Sequence, residues 1–350
     1  MIGQLACLVT SDTDPYLNLA REELLLRRVR RGQCILYLWQ NERTVVIGRN
    51  QSAHDECDVE ALEADGGHLA RRLSGGGAVY HDLGNLNFTF LVPTEDFDVA
   101  RQSEVILRAV RAVGVSAERS GRNDLVACGR KFSGNAFYHS GGGCATGVSY
   151  HHGTLMVDVD PVPLVRYLRP SPLKLAAKGV ASVRSRVVNL RELAGGLTTS
   201  ALEDALVEAF GEVYGQPVTS LAPDALSVAE LEHGRRRLAD DAWLFKTEGR
   251  RRRARLPLSG ARRFGWGTAL MGLELRDGRI TACELWSDGL DADVLERVPP
   301  ALRGCALDER ALKARLTGAA GAHEPLARDL VVLACQTAAG ERCQNGAQNA

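Results

Sequence analysis

The chain has 350 residues and a mass of 37.8 kDa, with 45% hydrophobic and 25% charged residues. This composition supports a substantial buried core, in one large domain or two unequal ones. The 43 basic residues balance the 43 acidic residues, so no overall field would attract nucleic acid or an anionic membrane. No apolar stretch reaches the length of a membrane span, and a signal-peptide pattern is absent. We therefore expect a soluble protein with neither nucleic acid nor membrane as a partner.

The nine cysteines are scattered and odd in number, and no Cys-x-x-Cys or His-Glu-x-x-His spacing occurs. This usage is typical of a reducing compartment and lacks the common zinc motifs. We expect no structural metal. The expected location is the cytoplasm, with the mitochondrial or another organelle matrix as the alternative.

The first predicted elements are a helix and two strands. Asp14 followed by Pro15 is typical of a capped helix start, and the helix is expected to run to about Arg30. Short β-branched or aromatic runs at residues 35–39 and 45–47 predict strands.

The middle of the chain alternates strands and helices irregularly. Alternation over residues 86–90 predicts a half-buried strand, and apolar residues at helical spacing over 105–113 predict a helix. Further strands are predicted over residues 125–127, 132–137 and 154–159. Ser200 with Glu203 predicts a capping box for a helix that ends at Gly215 and Pro217. Because regular β-α alternation is missing, we predict an α+β fold rather than a doubly wound sheet.

An arginine-rich stretch at residues 249–263 marks a change of composition. Beyond it, Asp277-Gly278 predicts a type I′ hairpin, and helical patterns follow around residues 292–298, 308–316 and 324–334. The predicted organisation is a large α+β domain over 1–248, a linker over 249–263, a smaller α/β domain over 264–337 and a disordered tail over 338–350. The arginine run is either a solvated linker or a docking surface for an acidic partner domain.

Residues 71–85, RRLSGGGAVYHDLGN, are the most informative segment of the chain. Three consecutive glycines cost backbone entropy, so a folded protein keeps them where side chains would obstruct something. Exposed backbone N–H groups beside two arginines suit an anionic group such as phosphate. A tight turn between two strands is the simpler alternative.

This segment resembles the signature of the lipoate–protein ligase A family, and further motifs follow in the order of that family. They are DPYLNLA at 14–20, TVVIGRNQ at 44–51, RRLSGGG at 71–77, GRNDL at 121–125, RKFSG at 130–134, HHGTL at 151–155 and LAAKGVASVRSRV at 175–187. The resemblance implies the mixed-sheet catalytic fold of biotin and lipoate ligases, with a small C-terminal accessory domain.

The resemblance also implies a reaction. Lipoate would be activated by ATP, with Mg²⁺, to lipoyl-AMP, and the lipoyl group would pass to a lysine of a lipoyl domain. The acceptors that it implies are E2 subunits of 2-oxoacid dehydrogenases and the glycine-cleavage H protein. The alternatives are a lipoyltransferase using preformed lipoyl-nucleotide, an octanoyltransferase, and a non-catalytic binder on the same fold.

Site residues follow from the same motifs, with Lys131 as the catalytic lysine that touches both the carboxylate and the α-phosphate. The ATP site is assigned to Arg72, Gly75, Gly76, Gly77, Ala78, Val79, Tyr80, Asn123, Asp124, Lys131, Lys178 and Gly179, with Asp124 as the candidate Mg²⁺ ligand. The lipoate site is assigned to Leu19, Val46, Gly77, His81, Lys131 and His152, with both histidines beside the reacting carbonyl. Each assignment has an ordinary alternative, such as a solvated strand lysine, a core histidine, a turn-capping aspartate or a core apolar residue.

One position separates the family members. Octanoyltransferases of this fold carry the acyl chain on a cysteine. In the protein-to-protein type, that cysteine lies three residues before the equivalent of His152, where this chain has Ser149. Cys144 lies further upstream, in a glycine-rich stretch. Covalent catalysis through a cysteine is therefore not the expected route.

Overall fold

The computed structural model describes residues 2–121, 123–140, 147–169, 187–252 and 254–345. A large N-terminal unit is built on an eight-stranded sheet and an additional three-stranded sheet, and a smaller C-terminal unit on a second three-stranded sheet. The predicted α+β class, with a mixed sheet and a smaller second domain, is confirmed.

The strands are β1 Gln4–Val9, β2 Gln33–Trp39, β3 Thr44–Ile47, β4 His68–Arg71, β5 Val79–His81, β6 Asn85–Pro93, β7 Glu118–Ser120, β8 Asp124–Ala127, β9 Arg130–His139, β10 Val148–Met156, β11 Val218–Ser220, β12 Leu258–Phe264, β13 Gly267–Arg276 and β14 Arg279–Ser287. The helices are α1 Pro15–Arg28, α2 Ala53–Glu56, α3 Val59–Ala64, α4 Val99–Ala112, α5 Pro161–Tyr167, α6 Leu190–Leu193, α7 Thr199–Tyr214, α8 Val228–Leu238, α9 Asp241–Leu244, α10 Ala292–Leu302, α11 Glu309–Ala320 and α12 Glu324–Asn345.

The large sheet has the order β11-β1-β2-β6-β10-β9-β8-β7. Strand β1 is parallel to β2 and β11, and the remaining neighbours are antiparallel, so the sheet is mixed. The additional sheet, β4-β3-β5, carries the triple-glycine segment between β4 and β5.

The central strand β6 is buried on both faces, so the prediction that it is half-buried was wrong. Leu86, Phe88 and Phe90 pack into the main core with helices α4 and α7. Asn87 and Thr89 point to the other face, where Thr89 donates a hydrogen bond to Glu22 of α1. Polar residues on a strand usually indicate a solvent face, but here Asn87 lines a cavity and Thr89 is covered by α1.

Two helix starts test the capping predictions. Asp14 caps α1 as predicted, because its side chain accepts hydrogen bonds from the N–H groups of Tyr16 and Leu17. Helix α7 is capped by Thr198, not by a box of Ser200 and Glu203, and it ends at Gly215 in the left-handed conformation. The error arose because adjacent Thr and Ser residues offer several capping oxygens, and only the chain path selects one.

The C-terminal unit packs α10, α11 and α12 on the sheet β12-β13-β14. Asp277 and Gly278 both have positive φ, as the predicted type I′ turn requires. Strand β12 begins at Leu258, inside the predicted linker, because an edge strand tolerates charged residues that look like a linker in sequence. Helix α12 continues to Asn345, so the predicted disordered tail is helical over residues 338–345.

The arginine run has partners within the chain. Arg250 contacts Asp241 and Glu63, and Arg252 and Arg255 both contact Asp55. These pairs compensate much of the positive charge that a docking surface would need. None of the helices in the described part of the chain combines the length and apolarity needed to cross a bilayer.

Candidate functional site

The triple-glycine segment forms a loop that approaches other backbone closely. Gly76 has a φ of 90°, and a Cβ on Gly48 would lie 2.3 Å from the Gly76 carbonyl oxygen. A Cβ on Gly75 would lie 2.1 Å from the carbonyl oxygen of Gly289 in the small domain. A Cβ on Gly77 would meet no atom within 4 Å. Gly75 is therefore required by packing and Gly76 by its left-handed backbone, and Gly77 leaves backbone open to a ligand.

Arg71 is fully buried and fixes the neighbouring loop. Its guanidinium donates to carbonyl oxygens of Gly48, Arg49 and Gln51, and to those of Trp243 and Leu244 in α9. Burial lowers its pKa to about 10, which leaves it charged at neutral pH. Arg71 therefore has a structural role in holding the loop that follows β3 against α9.

Arg72 lies beneath the glycine loop. Its guanidinium N–H groups donate hydrogen bonds to the hydroxyl of Ser74 and to the carbonyl oxygens of Val46, Gly75 and Gly77. In this arrangement Arg72 shapes the loop, and a phosphate would have to replace one of these carbonyls. Its predicted contact with the nucleotide phosphate stays a prediction.

Lys131 lies on β9 beside Asp124 of β8. The ammonium Nζ is 2.6 Å from Asp124 Oδ1, and both side chains are about one-third exposed. A Cβ on Gly134 would lie 2.7 Å from Nζ, so the missing side chain at Gly134 leaves room for the ammonium. Lys131 is therefore available to a ligand and is held by one carboxylate.

Two cavities meet at Lys131. The smaller has a volume of about 110 Å³, and its lining includes Leu19, Trp39, Val46, Arg72, Val79, His81, Asn87, Gly134, Ala136, His152 and Thr154. The larger has a volume of about 510 Å³, and its lining includes Ser120, Asp124, Arg169, Arg263, Trp266 and Leu290. Both are lined by Gly76, Gly77, Ala78, Asn123 and Lys131. We call them the narrow cavity and the wide cavity.

Most of the predicted site residues converge on these cavities. The exceptions are Gly75, which packs against the small domain, and Tyr80, which points away from the site and packs against Tyr167. Because alternate residues of a strand face opposite sides, Val79 and His81 line the narrow cavity and Tyr80 cannot. The predicted nucleotide contacts of Lys178 and Gly179 lie outside the described residues.

His152 belongs to a buried chain of hydrogen bonds. Its Nε2 is 2.8 Å from Ser74 Oγ, and its Nδ1 is 2.8 Å from Glu22 Oε1. The Ser-His-Glu order resembles a hydrolytic triad, but Ser74 is fully buried, accepts a hydrogen bond from Arg72 and lines neither cavity. The arrangement orients the His152 ring and offers no nucleophile.

His81 lies against Trp39, with ring centroids 6.2 Å apart in an edge-to-face arrangement. Burial lowers the pKa of His81 to about 3, so the ring is neutral at physiological pH. Asn41 contacts its Nδ1 at 3.1 Å.

Part of the wide cavity comes from the small domain, which sequence reasoning missed. Arg263, Trp266 and Leu290 form this wall, and the Gly76 N–H donates to the Gly289 carbonyl at 3.3 Å. No sequence signal marks these residues, because their position depends on how the two domains pack.

Charged pairs hold the domains together beside the glycine loop. Arg49 contacts Asp293 at 2.6 Å and also Glu296 of α10. Lys246 contacts Glu296 at 3.1 Å, and burial lowers the pKa of Lys246 to about 8. The loop between β3 and α2 therefore connects the catalytic core to the small domain.

No cysteine of the described residues lines either cavity. Burial raises the pKa of Cys7, Cys34 and Cys57 to about 12, so these thiols are not nucleophiles. Ser149 hydrogen-bonds to Thr94 and His139. Cys144 lies outside the described residues.

Within the described ranges, no three metal-ligating side chains cluster. Three carboxylate residues line the wide cavity, Glu56, Asp124 and Asp288, and Asp124 is the one that pairs with Lys131. Mg²⁺ is commonly held by one or two carboxylates together with substrate phosphates, so this donor set fits a nucleotide-bound Mg²⁺ rather than a resident metal.

Two protein families match the chain. The lipoyl protein ligase A/B catalytic domain matches residues 14–211, and the bacterial lipoate protein ligase C-terminus matches residues 257–324. A lipoate-protein ligase A of Psychrobacter cryohalolentis is 38% identical over 338 residues, covering 93% of this chain and 96% of the relative. These matches confirm the family resemblance that the motifs predict.

Solved structures give the same picture. LipL1 of P. falciparum in complex with lipoate has a TM-score of 0.76 at 25% identity, covering 89% of this chain and 94% of its own. A lipoate-protein ligase A bound with ATP has a TM-score of 0.55 at 27% identity, covering 69% and 96%. A bi-partite ligase of Thermoplasma acidophilum, studied with its E2 lipoyl domain, has a TM-score of 0.58 at 26% identity, covering 69% and 96%.

Proposed function

The chain belongs to the family of lipoate–protein ligases, and we propose that it activates lipoate with ATP and transfers the lipoyl group to a lysine of a lipoyl domain. The observation that carries the proposal is the position of Lys131 where the narrow and wide cavities meet, beside the open backbone of Gly77. The relatives bound to lipoate and to ATP support the two ligands.

The chemistry requires a cation at this junction. In the first step the lipoate carboxylate attacks the α-phosphate of ATP, which forms lipoyl-AMP and releases pyrophosphate. Both reactants are anionic and repel each other, so a positive charge between them lowers the barrier. An ammonium with three donors can contact the carboxylate and the α-phosphate at once. In the second step an acceptor lysine amine attacks the acyl carbon and AMP leaves.

The two cavities suit the two ligands. The narrow cavity has apolar walls at Leu19 and Val46 and fits the acyl chain, and the wide cavity has room and charge for a nucleotide. The backbone N–H group of Gly77 would face the phosphates. Mg²⁺, when bound, would neutralise phosphate charge, and Asp124 would hold it together with phosphate oxygens.

The acceptor that we propose is a lipoyl domain. The Thermoplasma acidophilum relative was studied with its E2 lipoyl domain, which supports this class of partner. E2 subunits of 2-oxoacid dehydrogenases and the glycine-cleavage H protein are the specific candidates. A reducing compartment, the cytosol or an organelle matrix, suits the free cysteines of the described residues.

Exchange of labelled pyrophosphate into ATP tests the proposal. A ligase catalyses exchange only when lipoate is present, and it then lipoylates an acceptor domain. A lipoyltransferase would transfer from added lipoyl-AMP without exchange, and a binder would do neither. Lipoate-dependent exchange followed by transfer is the expected result, and its absence would refute the ligase assignment.

A further inference from the structure

The strand pairing of the large sheet gives approximate distances along the narrow cavity. Trp39 of β2 pairs with Asn87 of β6, and Asn87 pairs with Thr154 of β10. The hydroxyl of Thr154 accepts a hydrogen bond from the backbone N–H of Gly134 on β9, beside the Lys131 ammonium. Since neighbouring strands are about 4.8 Å apart, Asn87 lies roughly 10 Å from Gly134, and the Trp39 backbone roughly 14 Å.

These distances identify the end of the narrow cavity that is farthest from Lys131. An acid whose carboxylate contacts Lys131 would extend its chain across β10 towards Asn87 and Trp39. The His81 ring packs edge-on against Trp39 and also lines the cavity. His81 and Asn87 would then lie where the tail of the acid ends. On this placement His81 would be distant from the reacting carbonyl, beside which the sequence analysis expected it.

A chain of hydrogen bonds fixes which His81 nitrogen carries the proton. Arg21 can only donate, and its Nη1 donates to Asn18 Oδ1 at 3.0 Å. Asn18 Nδ2 therefore donates to Asn41 Oδ1 at 3.1 Å. Asn41 Nδ2 is left to donate to His81 Nδ1 at 3.1 Å. The neutral His81 ring consequently carries its hydrogen on Nε2.

Two donors at this far end have no partner. His81 Nε2 and Asn87 Nδ2 are both buried without a hydrogen-bond partner, while Asn87 Oδ1 accepts from Asn85. His81 is 3% exposed and Asn87 is 2% exposed. A buried donor without a partner is costly, so this pair is prepared for an acceptor on the ligand.

We propose that His81 and Asn87 recognise the ring sulfurs of a 1,2-dithiolane acid, so that this site selects lipoate over a plain fatty acid of equal length. The inference rests on the proposed function and adds its substrate selectivity. Disulfide sulfur is a weak acceptor, whereas a methyl end accepts nothing and would leave both donors unpaired. Ring shape alone would not distinguish sulfur from carbon.

The wild-type protein with three acids gives the first test. The acids are lipoate, octanoate and 5-cyclopentylpentanoate, which keeps the ring and the chain but lacks sulfur. Pyrophosphate exchange gives kcat/KM for each, and we expect lipoate to exceed the cyclopentyl acid by about tenfold, as unpaired donors imply. Equal use of both ring acids would overturn the inference and leave the proposed function standing. No exchange with any acid would refute the proposed function, and this inference with it.

Two variants give the second test. Asn87→Leu keeps the shape and removes the donor, and His81→Phe removes the ring N–H. Each should reduce the lipoate preference to about threefold or less, mainly by lowering lipoate use. Val46→Ala, on the apolar wall, should weaken all three acids by similar factors and leave the preference unchanged. A preference unchanged in both donor variants would overturn the inference. If a variant fails to fold, the wild-type comparison decides alone.

Discussion

Gly75 and Gly289 lie so close that a methyl group on Gly75 would stand 2.1 Å from the Gly289 carbonyl oxygen. The first residue belongs to the loop of the large domain and the second to the small domain. The same contact includes the hydrogen bond from Gly76 N–H to Gly289. The triple-glycine loop and the small domain therefore contact each other through backbone atoms, and the contact leaves no room for a side chain at Gly75.

Gly75→Ala should separate the domains at this contact. A displacement of about 1 Å at a reacting centre costs on the order of a hundredfold in rate, so lipoate-dependent exchange should fall by about that factor. The radius of gyration from small-angle scattering should also increase. Gly77→Ala is the control for shape, because its Cβ would meet no atom within 4 Å, and its scattering should match the wild type. Identical scattering from Gly75→Ala and the wild type would show that the contact between Gly75 and Gly289 does not set the distance between the domains.

Arg71→Lys should destabilise the protein. The guanidinium satisfies five carbonyl oxygens in a buried position, and one ammonium cannot reach all of them. Leaving even one or two buried acceptors unpaired costs about 2–4 kcal/mol of unfolding free energy, measured by urea denaturation. Arg236→Lys, at an exposed position of α8, should change it by less than about 0.5 kcal/mol. Equal stability of the two variants would show that Arg71 does not stabilise the packing of the loop after β3 against α9.

Arg263→Ala should impair the first half-reaction alone. Arg263 is a cation of the small domain that lines the wide cavity. Its guanidinium donates a hydrogen bond to the Thr268 hydroxyl and lies 4.0 Å from the Asp288 carboxylate. Loss of one cation near the phosphates should raise the KM for ATP by about tenfold. Transfer from added lipoyl-AMP should be unaffected. Arg262→Ala, at the next residue of the same edge strand, is the matched control and should leave both steps unchanged. An unchanged KM for ATP in Arg263→Ala would exclude a contact between Arg263 and the phosphates of ATP.

Two buried histidines should make stability depend on pH. Burial lowers the pKa of His81 and His151 from 6.5 to about 3. The unfolded chain therefore binds these protons at higher pH than the folded chain, so their contribution is complete above pH 6.5 and is lost as the pH falls towards 3. Each adds a slope of up to about 1.4 kcal/mol per pH unit. In urea denaturation from about pH 6 to about pH 4, His151→Gln should show a slope smaller by up to that amount. An equal slope would mean that His151 is protonated in the folded state.

Local sequence patterns predicted the individual elements well. The Asp14 cap, the Asp277-Gly278 turn and the Gly215 helix end each depend on residues that are adjacent in sequence, and the structure contains all three. Tyr80 was assigned by motif position, although strand alternation around Val79 and His81 already contradicted a shared face. Local geometry was the better guide there.

Other features depend on long-range packing and were not predictable. The carbonyl partners of Arg72 come from separate segments, at Val46 and in the glycine loop, so its role beneath the loop appears only in the fold. Trp266 and Arg263 reach the wide cavity because the small domain closes over it. The tautomer of His81 depends on Arg21, which is distant in sequence.

The proposed reaction depends on the Lys131 ammonium, which would neutralise the carboxylate and the α-phosphate as they react. The decisive measurement is lipoate-dependent pyrophosphate exchange by Lys131→Leu, with Arg130→Leu as the neighbouring control, since Arg130 pairs with Glu192 at the surface. Thermal unfolding of both variants would verify that they fold. We expect a loss of exchange of about a hundredfold or more for Lys131→Leu and little change for Arg130→Leu. Exchange by a folded Lys131→Leu at the wild-type rate would contradict it.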